Sequence, residues 1–259
     1  MKISGTQKYI YSSMILLVIP VLNACGGLDY QWGWYEISPI TQRGISNLKF
    51  LAGGLGVTIA LTLISIGCSI GLGLFVALPG LSKKRYLRAL NRIYVEIFRS
   101  IPVLVMILWV YYGMPMVLGI SLDPFAAGVV SLAISDSAFE AEIFRGGIQS
   151  IERGLTEAAD SQGFSYIDKM RFIVLPLAMR RILPPLGNQF VYMLIMSSLV
   201  SIIGLQELTR KANELTVSIY RPLEIYTVLV IEYLLLIIIV SRLVRKLEVK
   251  MGANVQLAG

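Results

Sequence analysis

Four stretches of this chain carry no charged residue, and each is long enough to cross a bilayer: 20 residues between Lys8 and Asp29, 33 between Lys49 and Lys83, 23 between Arg99 and Asp123, and 25 between Arg181 and Glu207. About 20 apolar residues in helical form cross the hydrocarbon core, where every backbone N–H and C=O needs a partner within the protein. Composition agrees, with 56% apolar and 15% charged residues and a mean hydropathy of +0.71, outside the range of ordinary soluble domains. Two further segments are less clean. Residues 124–144 contain Asp136, Glu140 and Glu142, and residues 225–241 contain Glu232, so both are expected to face protein rather than lipid. The expected fold is an all-α membrane protein of about six transmembrane helices in one membrane domain, with no soluble domain, low-complexity linker or internal repeat.

A net charge of +7 raises the question of nucleic acid, but the basic residues flank the apolar spans instead of forming a domain. Lys2 and Lys8 precede the first span, Lys83, Lys84, Arg85, Arg88 and Arg92 crowd one loop, and Arg242, Arg245, Lys246 and Lys250 follow the last. Cytoplasmic loops carry the excess of Lys and Arg, so these clusters place both termini in the cytoplasm and the loops at residues 29–49, 114–124 and 206–224 outside. No nucleic-acid role is expected. Cys25 and Cys68 sit in apolar sequence and histidine is absent, which removes a disulfide framework and any His-based triad. Leu22-Asn23-Ala24-Cys25 after a basic, then apolar start resembles a lipoprotein cleavage site, the alternative being an uncleaved helix over residues 9–28. The aromatic segment at residues 29–35, with Trp32, Trp34 and Tyr35, suits the headgroup level. Small residues invite close helix packing: Gly67 and Gly71 in the second span, and Ser197, Ser198, Ser201 and Gly204 in the fifth.

The segment from Arg145 to Arg181 is expected to stay in the cytoplasm. Leu155, Ala158, Ala159 and Gln162 recur at helical spacing, with Thr156 as a candidate cap and Gly163 as a left-handed stop. A second helix starts at Ser165, with Asp168 three residues on, and is expected to end near Leu175 ahead of Pro176. Helices this short are marginal in water, so the small face of Ala158 and Ala159 docks either on a cytoplasmic partner or beneath the chain's own spans.

Glu157-Ala158-Ala159, Gly163, Ile173 and Leu175-Pro176, at this spacing, resemble the EAA loop of permease subunits from bacterial ABC importers. The likeness extends over roughly residues 50–250 to the polar amino acid permeases of that family. It includes the stretch from Tyr94 to Pro102, that from Phe139 to Ser150, Leu183-Pro184-Pro185 and Ser198-Leu199-Val200-Ser201. The resemblance implies a division into an N-terminal helix and external segment over residues 1–49, a permease domain over residues 50–250 with its coupling loop at about 145–181, and a tail over residues 251–259. It implies two permeases side by side, identical or homologous, two cytoplasmic ATP-binding subunits, and an extracytoplasmic solute-binding protein delivering amino acid, in a bacterial inner membrane. The chain itself would be no enzyme. It has no G-x-x-x-x-G-K-[ST] loop for nucleotide phosphates, so ATP and magnesium belong to the partner, and no cofactor or metal is expected on this chain. Glu157, Ala158, Ala159 and Gly163 are the positions that would couple it to the ATPase.

The family often has Lys-Asp-Thr-Ser-Leu where this chain has Ile195-Met196-Ser197-Ser198-Leu199, which leaves open a companion permease with its own pocket. Asp136 and Glu140, one helical turn apart, are candidates for the substrate path together with Gln189, Met196, Ser197 and Ser198. Their alternative role is an internal ion pair, with Arg99 or Arg145 as partners. A secondary transporter or channel for small polar solutes is the alternative function; a membrane enzyme lacks a recognisable nucleophile or metal set.

Overall fold

The structure, a computed structural model, describes residues 30–250. The expected first span, Cys25 with its cleavage-site likeness, the N-terminal lysines and the tail after residue 250 lie outside the described residues. All regular structure among the described residues is helical.

Helix α1 (Gln42–Ala52) starts at Thr41, whose hydroxyl accepts from the Gly44 N–H. Gly53 and Gly54 turn the chain into α2 (Leu55–Gly80), whose 26 residues make a rod of about 39 Å. After the Lys83–Lys84 turn, α3 (Arg85–Ser100) runs until Ile101 becomes extended ahead of Pro102, as a residue preceding proline prefers. The chain bends by 95° there into α4 (Val103–Leu108), a π turn (Trp109–Gly113) and α5 (Met114–Leu118), which Gly119 closes with a φ of 69°. Asp123 caps α6 (Pro124–Gln149), its carboxylate accepting from the N–H groups of Phe125 and Ala126.

Helix α7 (Arg153–Ser161) and α8 (Tyr166–Lys169) follow. A π turn (Met170–Val174) then leads into α9 (Leu175–Met196) and a 3-10 turn (Ser197–Ile203). Helices α10 (Leu208–Ile219) and α11 (Pro222–Lys250) complete the described chain.

Three rods among the described residues are long and apolar enough to cross a membrane, Gln42–Gly80, Tyr166–Ile203 and Pro222–Lys250, and the bent pair Arg85–Ser100 with Val103–Leu118 makes a fourth if taken as one span. Helix α6 is as long as α2 but carries Asp136, Glu140, Glu142 and Arg145. It lies where such a helix must, against α2 along much of its length and against α9, α3 and α4 on its other sides. Leu61, Ile107, Leu132 and Met193 form the apolar core where α2, α4, α6 and α9 meet.

Three expectations are corrected. The close approach in α2 is made at Gly73 rather than at Gly67 and Gly71. A Cβ on Gly73 would lie 2.8 Å from Glu140 Cβ and 3.0 Å from the Ser137 carbonyl, whereas one on Gly67 or Gly71 would meet nothing within 4 Å. The second loop helix does not end near Leu175. The π turn takes up the missing donor: the Leu175 N–H reaches the Met170 carbonyl, and Pro176, which has none to give, sits in the first turn of α9. A π turn is one of the few devices that carry a helix past such a break. The segments at residues 30–49 and 206–224, expected to be loops on the outer side, also hold helices. Leu51 of α1, Ala212 and Leu215 of α10 and Ile225 of α11 pack as a small core. Glu207 caps α10, accepting from the N–H groups of Thr209 and Arg210 and from the Tyr233 hydroxyl.

Gly73→Val is expected to destabilise the detergent-purified chain by about 1–3 kcal/mol through overpacking, while Gly67→Val leaves its thermal melting close to wild type; equal losses would contradict the assigned contact.

Candidate functional site

The loop between α6 and α9 turns a corner at Gly163. Gly163 adopts a φ of 79°, the left-handed region glycine enters without steric cost, so α7 ends there as expected. The start differs: Glu152, not Thr156, occupies the N-cap position, and the Thr156 hydroxyl bonds back to the Arg153 carbonyl. Ser165 caps α8, accepting from the Asp168 N–H at 3.2 Å. Across the corner Lys169 Nζ lies 2.5 Å from Asp160 Oδ1, tying α7 to α8.

Glu157 and Ala158 are exposed, whereas Ala159 is only 3% exposed. Ala159 is therefore covered within the chain, which separates it from the exposed Ala158. Leu155, Phe164, Tyr166, Ile167 and Phe172 are exposed around the corner. The sequence pattern alone did not single out Phe164, Tyr166, Ile167 and Phe172, although large apolar side chains in a loop expected to be cytoplasmic were the available signal.

The second constellation is a polar seam inside the helical core. Asp136 of α6 accepts from Ser69 Oγ of α2 at 3.1 Å and from Gln189 Nε2 of α9. Met196 lines the same narrow pocket, with Ser135, Phe139 and Tyr192. Glu140 is fully buried, and neither of its oxygens has a hydrogen-bond partner among the described residues; the same holds for the Ser65 and Ser135 hydroxyls. The ion pairs considered from sequence are not formed. Arg145 Nη2 meets Glu142 at 2.5 Å, and the Arg99 guanidinium stands 4.8 Å from the centre of the Phe139 ring.

Thus Asp136, Gln189 and Met196 come together, while Glu140 turns toward Gly73 of α2. Ser197 and Ser198 donate to the carbonyls of Leu194 and Ile195, so their hydroxyl protons are used within their own turn. Ser65 and Ser69 were missed. A serine in an apolar helix ordinarily bonds its own preceding turn, and nothing local marks Ser69, which turns to a neighbouring helix, or Ser65, whose buried hydroxyl finds no partner among the described residues.

Residues 69–252 match the family described as binding-protein-dependent transport system inner membrane component. The chain belongs to that family. Among curated relatives, the glutamine transport system permease protein of Escherichia coli is 32% identical over 222 residues, covering 85% of this chain and 98% of that one. The arginine transport system permease protein of Bacillus subtilis is 30% identical over 210 residues, covering 81% and 96%. The crystal structure of an amino acid ABC transporter solved with histidines matches with a TM-score of 0.77 and 33% identity, over 85% of this chain and 100% of that one. The inward-facing MetNI methionine ABC transporter, at 20% identity and a TM-score of 0.67 over 79% of this chain and 97% of that one, shares the fold.

The chain is therefore a permease component of a membrane transport system, and the resemblance read from its EAA-type loop holds. Within the permease the seam sets unequal demands on its two carboxylates. Glu140→Gln keeps shape and adds no charge, so its thermal unfolding is expected within about 1 kcal/mol of wild type; Glu140→Lys buries an unpaired cation and is expected to cost about 3 kcal/mol or more. Melting of the detergent-solubilised chain separates the two, and equal behaviour would contradict the burial assigned to Glu140.

Proposed function

We propose that this permease imports amino acids, driven by ATP hydrolysis on separate cytoplasmic subunits that grip the loop at α7 and α8. The observation that carries this is the corner at Gly163, where a helix too short to be stable alone is locked by Lys169–Asp160 and presents Glu157 and Ala158 outward. The amino acid substrate is supported by the relatives named for glutamine and arginine transport. In this reading six spans cross a bacterial inner membrane with both termini in the cytoplasm, counting the helix over residues 9–28. Two permeases, identical or homologous, stand over two ATP-binding subunits that hold ATP and magnesium, and a solute-binding protein delivers the amino acid from outside.

The mechanism follows from continuity. The rod from Tyr166 to Ile203 starts at the corner and carries Gln189 and Met196 further along. Closure of the ATPase pair moves the corner as a rigid body, and the rod transmits that movement to the contact between Gln189 and Asp136. Asp136 supplies the negative charge that an amino acid's ammonium group needs, while Gln189 and Met196 shape the path beside it. Glu140 supports the seam from behind.

In the reconstituted complex, Ala158→Trp is expected to lower the ATP hydrolysis stimulated by substrate and binding protein about tenfold or more while leaving the permease's own melting unchanged. Asp136→Asn, whose amide oxygen still accepts from Gln189 and whose NH2 can donate to Ser69 Oγ, is expected to lower uptake and leave assembly intact. Wild-type coupling in Ala158→Trp would remove the loop from the coupling path.

A further inference from the structure

Helix α3 presents three distinct stripes at the roughly 100° per residue of an α-helix. Asn91 and Val95 are buried against the bundle, with the Asn91 amide donating to the Val76 carbonyl at 2.8 Å. Tyr86, Leu90, Ile93 and Ile97 form a second stripe that is 50–59% exposed. Arg85, Arg88, Arg92 and Arg99 make a third, and none of these four forms an ion pair among the described residues.

The arginine stripe lines one wall of a groove of about 620 Å³ whose other wall is the end of α6, with Glu142, Arg145 and Gln149. That volume suits a small ligand. Glu142 is already engaged by Arg145; Glu96 also lines the groove, so among the described residues four guanidinium groups without an ion pair face one carboxylate without one, and the excess of positive charge remains. Gly80 closes its floor, since a Cβ there would meet Asn91 Oδ1 at 2.8 Å and Arg145 Cδ at 3.2 Å.

We propose that this groove binds the phosphate headgroup of an anionic phospholipid, whose acyl chains lie along the Tyr86, Leu90, Ile93 and Ile97 stripe. Charge selects an anion, and guanidinium forks fit phosphate oxygens. The adjacent exposed apolar stripe selects a lipid over a soluble anion, because a free phosphate leaves it uncovered. Geometry agrees: α3 is bent by 95° from the apolar segment that follows, so when that segment runs across the bilayer α3 lies along its surface, the posture of an interfacial amphipathic helix. Basic pockets between helices on the cytoplasmic side are suited to such headgroups. Placement in the inner leaflet rests on the proposed topology; the chemistry of the groove does not.

Native mass spectrometry of the full-length chain in detergent tests this without any ATPase. Phosphatidylglycerol, phosphatidylcholine of the same acyl chains and inorganic phosphate are added in separate arms. Phosphatidylglycerol is expected to remain bound at energies that strip phosphatidylcholine. The double substitution Arg88→Gln with Arg92→Gln, both at exposed positions, lowers its retention about tenfold or more. Arg242→Gln with Arg245→Gln on α11 leaves retention unchanged, and Leu90→Ser with Ile93→Ser weakens long-chain but not short-chain phosphatidylglycerol. Equal retention of the two lipids, an equal loss from the α11 variant, or displacement of the lipid by millimolar phosphate would each overturn the proposal.

Discussion

The backbone of α2 approaches α6 at Gly73 more closely than any side chain allows, and the arrangement of the interior follows from that contact. With Glu140 Cβ and the Ser137 carbonyl against it, the Ser69 hydroxyl reaches Asp136, and the far side of α6 is left to Gln189 and the pocket containing Met196. A helix carrying this many polar groups could not face lipid. Enclosed by α2, α3, α4 and α9, it becomes the polar centre of an otherwise apolar bundle.

The loop and the seam lie along one continuous helical rod. Helix α8, the π turn and α9 form a single rod, and the π turn, at which Pro176 would otherwise break the ladder, keeps it continuous. The Gly163 corner is therefore joined to Gln189 along one helical rod, which runs past Pro184 and Pro185 on the way. In the proposed transport cycle this is how nucleotide-driven closure outside the membrane alters a contact within it. The cap of α1 and α10, with Gly54 pressed on the backbone of Glu207 and Leu208, holds the opposite end of the bundle.

Much of this was legible in sequence because bilayer physics leaves few options. Uncharged runs marked α2, the α4–α5 segment and α9, and the spacing around Glu157 and Gly163 marked the corner. What escaped was set by neighbours rather than by local pattern. Gly67 and Gly71 have the spacing of a helix contact but meet nothing within 4 Å, while Gly73, without that spacing, makes the contact. Ala158 and Ala159 read alike in sequence, yet only Ala159 is buried. Pro176 signals an ending by its missing N–H, and only the π turn reveals why the helix goes on. Arg99 and Arg145 were reasonable partners for the buried carboxylates, but Phe139 and Glu142 lie nearer on the same helix.

Uptake of labelled amino acid into proteoliposomes holding the purified chain, with and without its ATP-binding subunit and solute-binding protein, puts the account to its most direct trial. Accumulation that needs both companions and hydrolysable ATP is the predicted result. Accumulation by the chain alone, driven by an ion gradient, would contradict it and leave the Gly163 corner without the role assigned here.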